Sequence, residues 1–215
     1  MSDAQQFTGM LKPGDIMVKY NDHSAINSII AFGQFFGRGS SQFTHAGLCA
    51  SPTHIIEMDG DGLQLHDLTA ENSHYSYRVY RCVIDGVGAG AAAAGEMMLA
   101  AFQAGATNLT YSLGQAAASV WKSSAVPNGD IANDMLEKLL AGGDAFFCSG
   151  HVVLCYQMAC SQLTGQQNFP FSDAGGLFSL EQTCYQPAFL ERKLSESTDF
   201  FWKRGEFTGA SWTGP

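Results

Sequence analysis

The sequence predicts an α+β protein in which an antiparallel sheet packs against helices. Three observations support this class: residues 11–85 read as short extended segments separated by turn residues, residues 91–190 carry helical periodicity, and Cys148 lies where an extended segment enters a helix. A chain of 215 residues that is 46% hydrophobic and 14% charged can bury one substantial core. We therefore predict a single domain over residues 1–215.

The first half of the chain reads mainly as strands. A turn over residues 11–15 precedes a strand over residues 16–20, in which Ile16, Val18 and Tyr20 share one face. The segments that follow are predicted as a helix over residues 24–37, a polar loop over 38–42, and strands over 43–50, 54–58, 63–68 and 77–84. Short turns separate the strands over residues 43–68, so these strands should form an antiparallel meander.

The second half reads mainly as helices. The glycine- and alanine-rich residues 86–95 are interpreted as a loop that runs into a helix over 91–105, because alanine is the best helix former. Further helices are predicted over residues 112–121, over 130–140, over 151–162 after the Cys148 turn, and at a capping box formed by Ser179 and Gln182. Residues 166–176 are predicted as a loop, and the aromatic, glycine-rich tail over 200–215 has no assignment.

Charge and composition exclude several classes of partner. The net charge of -9 and the pI near 4.9 argue against a nucleic acid or an anionic membrane surface, because a phosphate-binding face needs clustered Lys and Arg. No apolar stretch approaches the roughly 20 residues of a membrane-spanning helix. The polar residues 1–7 show no secretory signal, which predicts a cytoplasmic location in the producing cell.

The six cysteines show no spacing typical of a metal site or of a disulfide framework. They are Cys49, Cys82, Cys148, Cys155, Cys160 and Cys184. No CxxC pair or Cys/His cluster occurs, and in a chain of this size the thiols are expected to be reduced. We therefore predict that the protein uses no metal and no cofactor.

Cys148 is the candidate nucleophile. Ser149 and Gly150 follow it and a helical run continues from there, so unpaired backbone amides should point past the sulfur. Such a position stabilises a thiolate, and the same amides, including that of Ser149, could bind the oxyanion of an attacked carbonyl. The alternative is a buried structural thiol, since free cysteine is among the most buried residue types.

His45 and Glu57 are the candidate base and orienting acid. If residues 51–53 form a three-residue loop, Gly47 lies opposite Glu57 and Asp59 lies opposite His45. His45 and Glu57 then form a diagonal pair on one face, with Cα atoms roughly 7–8 Å apart. A two-residue loop would shift the register and turn Glu57 to the other face. Asp59 is the alternative acid for orienting the imidazole.

The motifs that surround these residues occur in an unusual order. Lys12-Pro13-Gly14-Asp15-Ile16, His45-Ala46-Gly47 and Glu57 come first, whereas Thr110-Tyr111-Ser112 and Cys148-Ser149-Gly150 come last. This set resembles the NlpC-type papain-like cysteine peptidases in their circularly permuted arrangement. The family places its third polar residue twelve positions after the histidine, and Glu57 stands twelve positions after His45.

The resemblance covers roughly residues 11–70 and 106–165 and implies a papain-like fold. It implies Cys148 as nucleophile at a helix N-terminus, and it places Tyr111 in the cleft. The chain departs from the family pattern at Phe147, where the family usually has aspartate, and at His151, where an aliphatic residue is common. We interpret His151 as structural or pocket-lining, since it lies one helical turn beyond Cys148.

The resemblance also implies the class of reaction. Permuted bacterial members are similar to peptidases or amidases, whereas animal members are lipid acyltransferases with Asn-Cys-Glu-His at the nucleophile. Phe-Cys-Ser-Gly is closer to the peptidase form, so we predict cleavage of a peptide-like amide through a thioester, with stem peptides of the bacterial cell wall as substrate. The alternatives are a thiol acyltransferase or thioesterase, a deamidase of a host protein, and a binding module with an inert thiol.

A cell-wall substrate lies outside the cytosol. The predicted enzyme would therefore act on internal fragments or leave the cell by a leaderless secretion system, as an antibacterial effector delivered to the periplasm of a target cell. Such an effector would have an immunity protein as partner. A transferase would instead need a long apolar groove for its acyl chain.

Overall fold

The computed structural model describes residues 9–22, 42–59, 62–105, 148–164, 178, 185, 187–208 and 211–214. Within these ranges the chain forms one seven-stranded antiparallel sheet and three helices. This confirms the α+β class and the antiparallel sheet. None of the helices in the described ranges has the length and apolar character needed to cross a membrane.

The first four strands of the sheet lie side by side in chain order. The three later strands continue the sheet on the other side of the first strand. Its strand order is β4-β3-β2-β1-β5-β6-β7. The strands are β1 (Ile16–Tyr20), β2 (Phe43–Ser51), β3 (His54–Asp59), β4 (Gly62–Asp67), β5 (Ser76–Cys82), β6 (Phe201–Thr208) and β7 (Ser211–Thr213). The meander predicted over residues 43–68 is confirmed by the antiparallel pairing of β2 with β3 and of β3 with β4.

Alternating side chains divide the sheet into two apolar faces. Ile16, Val18 and Leu48 belong to the larger core, which also contains residues of helices α1 (Val87–Gln103), α2 (Cys148–Thr164) and α3 (Pro187–Glu196). The intervening residues belong to a smaller cluster of Leu11, Met17, Cys49, Ile55, Leu68, Tyr77, Val79 and Phe207. The sheet is therefore covered on both faces, which explains why most residues of β1 to β3 are buried.

The Pro-Gly-Asp turn anchors the start of β1 to the helices. Gly14 has a φ of 88°, and a side chain there would collide with Gly88 in α1, whose carbonyl oxygen would lie 2.0 Å from the added Cβ. The hydroxyl of Tyr156 in α2 donates a 2.6 Å hydrogen bond to the Gly14 carbonyl oxygen. Asp15 is buried and accepts two hydrogen bonds from Arg81. This turn therefore joins β1, β5, α1 and α2.

Helix α1 begins earlier than the sequence predicted. It starts at Val87 rather than at residue 91, and its N-cap residue Gly86 has a φ of 76°. The prediction gave too much weight to the low helix propensity of glycine, whereas tertiary contact decides here. Gly88 allows the Gly14 turn to approach α1. A Cβ atom added at Gly95 would lie only 3.2 Å from the side chain of Leu48.

The tail that had no assignment completes the sheet. β6 pairs with β5 along its whole length, and β7 pairs with β6. Helix α3, which precedes this hairpin and was not predicted, is held through buried Glu191, which accepts hydrogen bonds from Arg78 at 2.6 Å and Tyr80 at 2.7 Å. Arg78 also lies 3.0 Å from Glu206 in β6, so one guanidinium joins α3, β5 and β6.

Several predicted elements lie outside the described residues. They are the helices over residues 24–37, 112–121 and 130–140, the loop over 166–176 and the capping box at Ser179. Tyr111 and Cys184 also lie outside. The five described cysteines are not in disulfides.

Candidate active site

Cys148 is the first residue of α2 and is fully buried. The hydroxyl of Ser149 donates a hydrogen bond to the backbone carbonyl oxygen of Tyr185, which ties the first turn of the helix to the segment before α3. The Ser149 hydroxyl is thereby occupied, while its backbone amide is directed at the Cys148 sulfur. Cys148 was predicted to lie at the start of a helix, and the structure places it there. Unpaired backbone amides at such a position favour an anion.

The sulfur lies where two strands of the sheet separate. Pairing between β2 and β3 ends at Gly47 and Glu57, although β2 begins at Phe43 and β3 runs on to Asp59. The amide of Ala46 lies one residue beyond the last pair, and it donates a hydrogen bond to the Cys148 sulfur. A backbone group that β3 leaves unpaired is therefore satisfied by the Cys148 sulfur.

His45 and Glu57 reach the same place because of the register of β2 and β3. Gly47 lies opposite Glu57, as predicted. The register arises differently from the prediction, however: Ser51 pairs with His54 across a two-residue turn, and a bulge between Cys49 and Ser51 supplies the missing residue. The bulge restores the face that a two-residue turn alone would have reversed.

Gly47 allows the two strands to approach at this point. A Cβ atom there would lie 2.6 Å from the side chain of Ile55 and 2.9 Å from the Ile56 carbonyl oxygen. The side chain of Ile55 in the partner strand occupies the space beside Gly47. The glycine of the His-x-Gly motif is therefore required by packing between β2 and β3.

The His45 ring contacts Cys148 on one side and Glu57 on the other. Nε2 of His45 lies 3.1 Å from Oε2 of Glu57, and the ring also forms a hydrogen bond with Cys148. Because Nε2 is turned toward Glu57, Nδ1 is the nitrogen available to the sulfur. Oε2 is at ion-pair distance from this nitrogen, and no other donor in the described ranges reaches it.

The other carboxylate oxygen of Glu57 has two donors. Nδ1 of His66 lies 2.8 Å from Oε1, and Nδ2 of Asn72 donates to the same oxygen at 2.6 Å. Asn72 also donates to the hydroxyl of Tyr77 at 3.0 Å. Glu57 is only 4% exposed, so these contacts replace the water that an ionised carboxylate would otherwise need.

These contacts shift the pKa values of all three groups. Burial alone lowers the pKa of His45, but the charges of Cys148 and Glu57 outweigh it and raise this pKa to about 10. Burial disfavours the Cys148 thiolate, yet His45 and the amides of Ala46 and Ser149 lower its pKa below the ordinary value. Burial likewise opposes ionisation of Glu57, whereas His45, His66 and Asn72 hold its pKa well below the usual range. The arrangement favours a thiolate, an imidazolium and a carboxylate in a row.

Two further residues from the sequence analysis have defined positions. Oδ2 of Asp59 lies 3.7 Å from Nε2 of His66, while the acid at ion-pair distance from His45 is Glu57. His151 is fully buried, and its ring nitrogens lie 3.7 and 3.9 Å from the Cys155 sulfur. Burial lowers the pKa of His151 to about 4, so its ring is neutral and apolar packing surrounds it.

The sequence analysis did not single out His66 or Asn72. His66 could have been found, because it pairs with Ile55 across β3 and β4 and so lies on the face of Glu57. Asn72 lies in the turn after β4, where no periodicity indicates a direction. Only the coordinates show that this side chain reaches back to Glu57.

Replacement of Glu57 by glutamine should weaken the site without unfolding it. Glutamine has the same shape but no charge, so the pKa of His45 should fall and less thiolate should form on Cys148. We expect kcat/KM to fall on the order of tenfold to a hundredfold, as when a group that orients a reacting residue is lost. Glu96→Gln, which removes an exposed carboxylate from α1, is the control and should be unchanged. Equal rates for both variants would contradict the assigned role.

No protein-family model, curated protein or solved structure matches this chain. The chemistry of the site is therefore inferred from its own residues and their geometry.

Proposed function

We propose that this protein is a cysteine-dependent amidase or endopeptidase with a papain-like arrangement of groups. The observation that carries the proposal is the row formed by Cys148 at a helix start, the His45 ring in hydrogen bond with it, and the Glu57 carboxylate 3.1 Å from the other side of that ring. Nucleophile, base and orienting acid are the three roles that thiol-based acyl transfer requires.

In the first step, the Cys148 thiolate attacks the carbonyl carbon of the amide. The carbon–nitrogen bond then breaks while the His45 imidazolium gives its proton to the departing amine, which leaves a thioester on Cys148 and a neutral ring. Next, His45 takes a proton from water as the water oxygen attacks the thioester. The acid product departs, and the thiolate–imidazolium pair is restored. The backbone amide of Ser149 is the candidate donor to the oxyanion.

The substrate class is proposed from the motif pattern together with the site. Permuted order, the His-x-Gly strand and the Cys-Ser-Gly helix start resemble the bacterial NlpC-type enzymes, and these motifs frame the observed cluster. We therefore assign cell-wall stem peptides as the substrate, and delivery to the periplasm of a target cell as the setting in which they are met.

Digestion of purified peptidoglycan is the direct test. The wild-type protein should release fragments that have gained one water for each amide bond cut, and mass spectrometry identifies the bond. Cys148→Ala should release none, whereas the control Cys82→Ala, which alters a half-buried thiol at the end of β5, should match the wild type. Identical fragments from wild type and Cys148→Ala would refute the proposal.

Toxicity provides a second arm of this test. A version directed to the periplasm by an added signal should lyse the expressing cells, and the Cys148→Ala version should be harmless. If both versions are harmless although digestion succeeds in vitro, the antibacterial setting is wrong while the amidase chemistry stands.

The pH profile of kcat/KM should be a broad plateau. The pKa of Cys148 is lowered, so activity should rise with pH through a value below 9, the ordinary pKa of the thiol. The pKa of His45 is raised to about 10, so activity should fall only as pH exceeds that value and the ring loses the proton that the leaving amine needs. These two values belong to the coupled pair. A rate that rises only above pH 9 would show that no ion pair forms.

A further inference from the structure

One feature that the proposed mechanism does not use is the binding of two donors to a single oxygen of Glu57. His66 reaches Oε1 from β4, and Asn72 reaches it from the following turn. The two donors come from different parts of the chain, and both contacts are at most 2.8 Å. These donors replace water around the buried carboxylate, and because both bind Oε1 they also fix the direction in which Oε2 points.

Anchoring Oε1 has a geometric consequence for Oε2. The glutamate side chain has three rotatable bonds, and its carboxylate can turn about the last of them. With Oε1 held by two donors, Oε2 stays 3.1 Å from Nε2 of His45. This matters because, among the described residues, no donor besides His45 reaches Oε2, so its position depends on the groups that hold Oε1.

We infer that His66 is a positioning residue of this site, acting with Asn72 to hold Glu57 toward His45. The inference rests on the proposed function only in taking Cys148 and His45 as the reacting pair. His66 itself does not touch the reacting atoms. Its effect passes through Glu57 to the His45 ring and from there to the Cys148 thiolate.

The charged groups around His66 favour this role. Besides Glu57, Asp59 of β3 has Oδ2 3.7 Å from Nε2, and Glu71 in the turn after β4 adds negative charge. The hydrogen bond to Glu57 is the largest influence, and together these acids raise the pKa of His66. Tyr77, which shares Asn72 with Glu57, has its pKa raised well above the ordinary value, mainly by burial, and stays neutral. Nδ1 of His66 is therefore kept as a donor to Oε1.

The ultraviolet absorbance of the Cys148 thiolate tests the inference without any substrate. Each variant is titrated with pH, and the titration of the same variant carrying Cys148→Ser is subtracted. Burial raises the pKa of Cys82 to about 11 and raises the pKa values of Cys49, Cys155 and Cys160 further. These four thiols stay protonated below pH 9, and the subtraction removes the signal of every thiol other than Cys148, including Cys184.

His66→Ala should raise the midpoint of this titration by about one pH unit, which is about tenfold less thiolate below the midpoint. His66→Gln keeps an N–H donor and should restore most of the shift. The control His54→Gln removes a ring near the start of the same strand as Glu57, where it contacts Ser51 and Thr53, and it should match the wild type. Thermal unfolding of each variant is measured in parallel.

The outcomes separate the inference from the proposed function. An unchanged midpoint in His66→Ala, with or without a lower Tm, would show that His66 is merely structural and would overturn the inference. A wild-type midpoint at or above the ordinary thiol value would instead remove the thiolate–imidazolium pair and with it the proposed function. A raised midpoint in His66→Ala that His66→Gln reverses supports the positioning role.

Discussion

Replacing His45 by glutamine is expected to cause the largest loss of activity after loss of the thiol itself. The change removes the imidazolium that offsets the burial of the Cys148 thiolate, so the pKa of the thiol should rise above its ordinary value. In the proposed mechanism it also removes the acid that protonates the leaving amine. Together these effects should lower kcat/KM by about 10²- to 10⁴-fold, the range for loss of a general acid–base group.

The experiment compares the rates at which His45→Gln and His54→Gln release peptide fragments from peptidoglycan in the digestion assay. Both variants replace a histidine of the β2–β3 hairpin, but only His45 contacts Cys148 and Glu57. Thermal unfolding should show that both proteins remain folded. A His45→Gln enzyme with more than about a tenth of wild-type kcat/KM would mean that another group serves as the base, because acid–base loss exceeds this size.

Replacing Arg81 by methionine is expected to cause the largest loss of stability. Asp15 is 1% exposed, and Arg81 holds both of its oxygens, with Nε 2.7 Å from Oδ1 and Nη2 2.6 Å from Oδ2. The variant leaves a buried carboxylate whose other donor is the Lys12 amide at 2.9 Å. Such a loss of one partner costs about 3–5 kcal/mol of unfolding free energy.

Urea unfolding measures this cost, with Arg192→Met as the matched control. Arg192 is exposed on α3, where its guanidinium lies over the Phe189 ring, so its replacement should change the free energy of unfolding by at most about 1 kcal/mol. The double variant Asp15→Asn with Arg81→Met should recover part of the loss, because no unpaired charge then remains buried. A cost below about 1 kcal/mol for Arg81→Met would mean that the turn relaxes and exposes Asp15 to water.

Local patterns predicted much of the sheet and its link to the site. Alternation placed Ile16 and Val18 on the face that packs against the helices, and the turn residues marked the ends of β2, β3 and β4. Counting along the hairpin put Gly47 opposite Glu57, as observed. These features depend on residues that are neighbours along the chain or across one hairpin, and such interactions leave a direct trace in the sequence.

Other features were missed because distant residues decide them. The glycines of α1 are typical of a loop in the sequence, but the close packing of Gly14 against Gly88 requires them in the helix. The tail has no clear sequence pattern because its place in the fold depends on Arg78, which joins β5, β6 and α3. The bulge between Cys49 and Ser51 could not be read from the hairpin, although it preserves the register that the site needs.

The sequence by itself determined which chemical groups this protein can use, namely a thiol at a helix start and an imidazole and a carboxylate on neighbouring strands. Only the tertiary structure decided how these groups are held. It separates β2 from β3 so that the Ala46 amide reaches the Cys148 sulfur, and it brings His66 and Asn72 onto Glu57. The physical reason is that residue type and spacing set local geometry, whereas the burial and charge around a group depend on segments that meet only in the folded chain.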